Sequence, residues 1–249
     1  QRLCDASERI AKKSGYVGVA TAEFLYQPAT GLCSFLEVNS RLQVEHTITE
    51  AITGRDLVKL QIAIAQGKKC PRGTIDQRGH AIELRLNAEN PEKGFQPSPG
   101  LLKLVNYPSG PGIRIDSGVC EGMEISPHFD SMIAKVIIWG EDRAQAIARA
   151  QRACNELEVV VQDGATNQNF IQSILAHDEF VNGTANTAWL DTAVLDGSLG
   201  AIQLETEALI AAAILEYQRW ESSAVADFFR QVQDGRPHHL SDTEGREFS

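Results

Sequence analysis

No two of the five cysteines lie close together; they fall at positions 4, 33, 70, 120 and 154. An odd number without a close pair argues against a disulfide scaffold or a zinc ribbon, so reduced, mostly buried thiols are the expectation. Positive charge is also in short supply. Lysine and arginine number 23 against 33 acidic residues, a formal net charge of −10. That balance argues against a broad nucleic-acid-binding face and leaves room only for a local phosphate pocket. Long apolar runs are missing as well. The stretch Ala208 to Leu215 is far shorter than the roughly 20 residues a bilayer span needs, so no membrane role is expected. No glycine-rich phosphate loop and no internal repeat occurs in the 249 residues. The chain starts at Gln1 without a basic segment followed by an apolar one. No signal peptide is therefore read, and a cytoplasmic location is expected.

What is present suffices for one large domain or one and a half smaller ones, with 43% hydrophobic residues to fill a core. Residues 2–14 read as a helix with Leu3, Ala6, Ile10 and Ala11 on one face and Gly15 as its stop. Val17 to Gln27 and Leu32 to Asn39 read as two strands around Pro28-Ala29-Thr30-Gly31, a hairpin signal. Residues 48–66 read as helical with a break at Gly54 and a new N-cap at Asp56. After a polar stretch at 67–79, His80 to Glu89 alternates again. Short strands follow near 101–106 and 113–118, and Met132 to Trp139 is a near-continuous apolar run, as a buried central strand requires. Residues 141–157 read as an amphipathic helix with Ala144, Ile147, Ala150, Cys154 and Leu157 inward. A further helix is expected at 167–177 and a long one at 203–233, followed by a polar tail.

The most informative run is Glu37, Asn39, Arg41, Gln43 and Glu45, with Val38, Ser40, Leu42 and Val44 between them. In an extended chain all five polar groups would line one face over about 27 Å, at about 3.4 Å per residue. An ordinary solvated strand gives the same alternation. A hairpin centred near Thr30, however, makes paired positions sum to about 60 and sets Glu23 opposite Glu37. Like charges across a strand pair are destabilising unless one is protonated or a cation lies between them. With Asn39 on the same face, an all-oxygen site suits magnesium or manganese better than zinc.

The run Phe35-Leu-Glu-Val-Asn-Ser-Arg-Leu-Gln-Val-Glu-His46 closely resembles the active-site signature of biotin carboxylases. These are the ATP-dependent components of biotin-dependent carboxylases, and their nucleotide-binding part has the ATP-grasp fold. Ala22-Glu-Phe-Leu, Arg78-Gly-His-Ala-Ile-Glu-Leu-Arg-Leu-Asn-Ala-Glu89 and Phe129-Asp-Ser-Met132 resemble the same family in the same order. The resemblance implies an α+β architecture. Residues 1–77 would be the C-terminal part of an ATP-grasp domain and 78–195 the biotin carboxylase C-terminal α/β domain. Residues 196–249, with the long terminal helix, would be a helical linker or the start of a domain joining biotin carboxylase to carboxyltransferase.

It further implies that ATP phosphorylates bicarbonate to carboxyphosphate, which yields carbon dioxide to N1 of biotin. Glu23, Glu37 and Asn39 match the residues that organise Mg2+ or Mn2+ on the ATP phosphates. Arg41 matches the bicarbonate-binding guanidinium, assisted by Gln43 and the backbone of Val44. Glu45 matches the general base, and Arg85 the group that stabilises carboxyphosphate and the biotin enolate. A guanidinium suits the task because bicarbonate needs a planar double donor. His46 and His80 receive no role, and Asp130 and Lys135 are read as structural.

The implied partners are a biotin carboxyl carrier domain, a carboxyltransferase and a second copy of the chain. The acceptor is taken as an acyl-CoA, with pyruvate and urea carboxylases as the alternatives. The N-terminal domain and the glycine-rich lid of the family have no counterpart in these residues. The chain alone is therefore expected to show little carboxylation. A non-catalytic assembly module is the competing reading.

Overall fold

The computed structural model describes residues 2–71 and 75–199 and, towards the C-terminus, 213–215, 217–220 and 222–223. Two compact units result, Gln1–Ala201 and Ile202–Ser249. In the second unit the described residues are helical. The remainder of the helix expected at 203–233 lies outside the described residues.

The first unit mixes helix and strand, as expected. Helix α1 (Arg2–Ser14) leads to a hairpin of β1 (Thr21–Gln27) and β2 (Leu32–Asn39). The pairing sets Glu23 opposite Glu37; a bulge then shifts the register so that Phe24 meets Phe35. The ring centroids of those two phenylalanines are 5.8 Å apart, edge to face. Helices α2 (His46–Thr53) and α3 (Leu57–Ala65) follow. The break between them is built as its sequence demands. Gly54 closes α2 in the left-handed conformation at φ 65°, and the Asp56 side chain accepts from the Lys59 amide to start α3.

Strand β3 (His80–Asn87) opens the main core. A small hairpin follows, β4 (Glu89–Asn90) and β5 (Gln96–Pro97), with a single tight helical turn between them. Next come β6 (Gly100–Asn106), β7 (Ile113–Ser117), β8 (Glu124–Ile125) and β9 (Met132–Gly140). Helix α4 (Arg143–Glu156), strand β10 (Glu158–Val161) and helices α5 (Gln168–Ala176), α6 (Asp178–Asn182) and α7 (Trp189–Leu195) complete the unit. β9 is central in an antiparallel sheet ordered β3-β9-β7. A second sheet runs β10-β6-β8.

One face of the β9 sheet presents Ile82, Leu84, Val136 and Ile138 to Ala146, Ile147, Ala150, Ala153 and Cys154 of α4, with Ile171 and Leu175 of α5. That apolar sandwich is the main core, stabilised chiefly by removing aliphatic surface from water. Leu86, Ile133 and Ala134 join Leu102, Val159 and Val161 in the core beneath the second sheet. The other face of the β9 sheet turns toward α2, which packs on β3 and β9. Gly79 at φ 69° precedes this sheet, and a Cβ there would collide with the Gly140 carbonyl and the Trp139 indole. The position therefore requires glycine.

Several expectations are corrected. β1 starts at Thr21 rather than Val17. On α4 the buried alanines are Ala146, Ala150 and Ala153, while Ala144 is exposed. Ile147, Ala150 and Cys154 are inward as expected, and Leu157 is buried just beyond the last helical residue, Glu156. The cysteines are free but not mostly buried. Cys154 is buried, Cys33 half-buried, and Cys4, Cys70 and Cys120 are exposed. Burial pushes the Cys154 thiol up to about 11.

Candidate active site

The polar run does not form one strand face. β2 stops at Asn39, whose partner Thr21 is the first residue of β1. Beyond that pair no neighbouring strand supplies ladder hydrogen bonds, so residues 40–45 leave the sheet. The chain turns through Val44 and Glu45, and Glu45 stands at the N-terminal boundary of α2. The backbone is held by the His46 amide donating to the Gln43 carbonyl at 3.3 Å and by Ile48 donating to Glu45 at 3.0 Å. His46 Nδ1 also lies 2.8 Å from the Gln43 carbonyl.

The turn splits the five side chains between two clusters. In the first, Glu23 and Glu37 face each other as expected, and Asn39 lies between them. Asn39 Nδ2 donates to Glu23 Oε1 at 2.7 Å and to Glu37 Oε1 at 3.1 Å. Gln43 Nε2 reaches back to the same Glu23 oxygen at 2.9 Å. Gln43 thus stands with the carboxylate pair, whereas the sequence grouped it with Arg41 and Glu45. Among the described residues no three His, Cys, Asp or Glu side chains converge on one point. The donor set here is two carboxylates and an amide. By its chemistry that oxygen-rich set fits a hard divalent cation such as Mg2+ or Mn2+.

The second cluster joins the turn to the β9 sheet. Arg85 Nη2 donates to Glu45 Oε2 at 2.7 Å, across 40 residues of chain. Arg85 Nε donates to Glu83 Oε1 at 3.3 Å. The Glu83 side chain is only 5% exposed, and its second oxygen accepts from the hydroxyl of fully buried Thr47. A buried carboxylate with both oxygens bonded is a rigid anchor, and here it fixes the guanidinium that meets Glu45. The neighbouring row of the sheet is also charged, because Arg85, Lys135 and Asp116 are in register across β3, β9 and β7. Lys135 Nζ donates to the Val44 carbonyl at 3.0 Å and lies 3.8 Å from Asp116. Arg114 bonds both oxygens of Asp116, at 2.7 and 2.8 Å, and Glu50 of α2 at 2.7 Å.

Burial pulls the Asp116 carboxyl upward. The hydrogen bonds and charge of Arg114, with the charges of Lys135 and His46, outweigh that pull and hold it below the ordinary carboxylate range. The same two carboxylates raise Arg114 still further above its already high value.

Arg41 is exposed, and its Nη1 donates to the Leu42 carbonyl at 3.3 Å. His80 Nε2 lies 3.3 Å from Arg143, and Asp130 accepts from the Met132 amide at 2.9 Å, a turn-forming bond. A cavity of about 650 Å3 lies between α2, α3 and strands β7 and β9. It includes Glu50 and Arg114 but none of the eight residues singled out from the sequence.

Thr47, Glu83 and Lys135 were not singled out as site residues. A signal for Lys135 existed, since one cation inside an apolar strand must find a partner. Thr47 carried none, because its hydroxyl matters only once α2 meets β3.

Residues 83–192 match the biotin carboxylase C-terminal domain family, and residues 1–72 match the carbamoyl-phosphate synthase L chain ATP-binding domain family. The chain carries a biotin carboxylase C-terminal domain. Biotin carboxylase 1 of Bacillus subtilis is 44% identical over 200 residues, covering 80% of this chain and 44% of that protein. The biotin-dependent acyl-coenzyme A carboxylase alpha3 subunit of Mycobacterium leprae is 43% identical over 198 residues, covering 77% of this chain and 32% of that subunit. A solved structure of the biotin carboxylase domain dimer of Hydrogenobacter thermophilus 2-oxoglutarate carboxylase superposes with a TM-score of 0.70 at 38% identity. The match covers 74% of this chain and 40% of that one, and that structure contains MgADP, ADP and bicarbonate. The chain spans less than half the length of the curated relatives it matches.

Proposed function

We propose that this chain supplies the bicarbonate- and biotin-facing part of a biotin carboxylase, in which ATP activates bicarbonate through carboxyphosphate and N1 of biotin receives carbon dioxide. The observation that carries the reading is the 2.7 Å contact between Glu45 and Arg85. It brings the turn and the sheet, distant in sequence, to one point with a carboxylate and a guanidinium side by side. Such a pair is equipped to take a proton from a small oxyanion and to hold the charge that develops.

In this reading Glu45 accepts the hydroxyl proton of bicarbonate. Arg41, exposed on the turn, presents a planar double donor to the anion, with the backbone of Val44 beside it. Arg85 remains to stabilise carboxyphosphate and the biotin enolate. Glu23, Glu37 and Asn39 would hold Mg2+ or Mn2+, which neutralises charge on the nucleotide phosphates. Gln43, bonded to Glu23, ties the position of that cluster to the turn.

The finer assignments follow the same line. Residues 1–77 are assigned to the ATP-grasp part, 78–195 to the C-terminal domain and 196–249 to a connector. Partners are a biotin carboxyl carrier domain, a carboxyltransferase and a second copy of the chain. An acyl-CoA acceptor is supported by the Mycobacterium leprae relative, while the 2-oxoglutarate carboxylase neighbour shows that the same core serves other acceptors. Among the described residues no helix is long and apolar enough to cross a membrane; we place the protein in the cytoplasm.

The test is a kinetic one on a full-length enzyme carrying this sequence. Glu45→Gln should lower bicarbonate-dependent ADP release by about a hundredfold or more. Unchanged turnover would remove Glu45 as the base.

A further inference from the structure

Strand β9 reads Met-Ile-Ala-Lys-Val-Ile-Ile-Trp-Gly and carries a single charged residue. Lys135 stands between buried Ala134 and Val136, and its side chain is only 12% exposed. An ammonium group in such surroundings persists only with partners. Its nearer partner is the Val44 carbonyl at 3.0 Å, with Asp116 behind at 3.8 Å. Asp116 is already doubly bonded by Arg114, so its charge is shared, and the direct bond of Lys135 is to the turn.

The place of that bond matters. Val44 lies between Gln43, which holds Glu23, and Glu45, which meets Arg85. The Val44 carbonyl belongs to the peptide plane that leads directly into Glu45. Glu45 occupies the N-cap position of α2 without a side-chain capping bond, so its own side chain does not fix that plane. The other bonds that hold the turn end on the Gln43 carbonyl, one peptide earlier, or on the Glu45 carbonyl, one later.

We propose that Lys135 is a positioning residue for bicarbonate: through the Val44 carbonyl it sets the peptide plane from which Glu45 and the Val44 backbone meet the anion. The inference rests on the biotin carboxylase reading above. Because Lys135 acts through the Val44 carbonyl, its effect falls on the anion more than on ATP.

The experiment is steady-state kinetics of a full-length enzyme carrying this sequence, with ATP and bicarbonate varied separately and thermal unfolding recorded alongside. Lys135→Met keeps the apolar stem and removes the donor. It should raise KM for bicarbonate by about ten- to a hundredfold, the loss of one charge-assisted hydrogen bond, with KM for ATP changed by less than about twofold. Lys135→Arg, which keeps a cation, should recover most of the loss. If Lys135→Met does not fold, Lys135→Gln, with a shorter neutral donor, should raise KM for bicarbonate in the same direction by a smaller factor. A folded variant with unchanged KM for bicarbonate, or with both KM values raised alike, overturns the proposal. An unsubstituted enzyme without bicarbonate-dependent ATP turnover would instead overturn the reading on which it rests.

Discussion

Asp116 shows how individual charges tie the turn-bearing helix α2 to the sheet. Its carboxylate accepts two bonds from Arg114, which also reaches Glu50 on α2, and it faces Lys135 beneath the turn. Because its folded-state value lies below the ordinary 3.8, Asp116 adds stability above that pH. The contribution is lost as pH falls through the depressed folded value. Asp116→Asn should therefore destabilise the protein near pH 7 by on the order of 1 kcal/mol, the scale of a hydrogen bond to a charged group. Denaturant unfolding should show the gap to the native protein closing below pH 3.8; a gap that widens on acidification would refute the assignment. The facing of Glu23 and Glu37, with Asn39 on the same side, was readable from the sequence. Partners across the fold were not. Nothing near Val44 in the chain announces that Lys135, 91 positions later, supplies its hydrogen bond.

Elements were legible where a local signal marks both ends. Gly54 and Asp56 gave the break between α2 and α3, and the apolar run 132–139 gave the central strand. Glu37 to Glu45 was not legible in full because alternation reports which side chains would share a face, not where the neighbouring strand ends. β1 ends the ladder at Thr21, and the remaining polar residues fold back as a turn that seats Gln43 and Glu45 separately. The short β10, α6 and α7 carry too few residues to show a period. Helix α4 gives a clean element-level test. Asp142 accepts from the Gln145 amide at 2.8 Å, and the Gln145 side chain accepts from the Glu141 amide at 2.9 Å. Asp142→Ala should cost about 1 kcal/mol in equilibrium unfolding, since both bonds belong to the start of the helix that covers the core. A change within a few tenths of a kcal/mol would mean that packing of Ala146, Ala150 and Ala153 alone holds α4 in place.

At the scale of the molecule, one sheet does two jobs. Its aliphatic face makes the core with α4 and α5, which gives β3, β9 and β7 a fixed register. Its charged face uses that register to line up Arg85, Lys135 and Asp116 under the turn that carries Glu45. The hairpin is different in character: Leu25, Tyr26, Leu32, Phe35 and Leu36 are all more than half exposed. Its apolar side chains contribute little to the core, and its ordered polar contribution is the Glu23–Glu37–Asn39 cluster. The central claim is that Arg85 and the Glu45 turn together carry out biotin carboxylation. It is tested most directly by following carbon from labelled bicarbonate onto free biotin in a full-length enzyme carrying this sequence. The account predicts ATP-dependent labelling that falls by about a hundredfold in Arg85→Gln, the scale expected for loss of a charge-stabilising donor. Labelling that is absent from the native enzyme, or undiminished in Arg85→Gln, would contradict it.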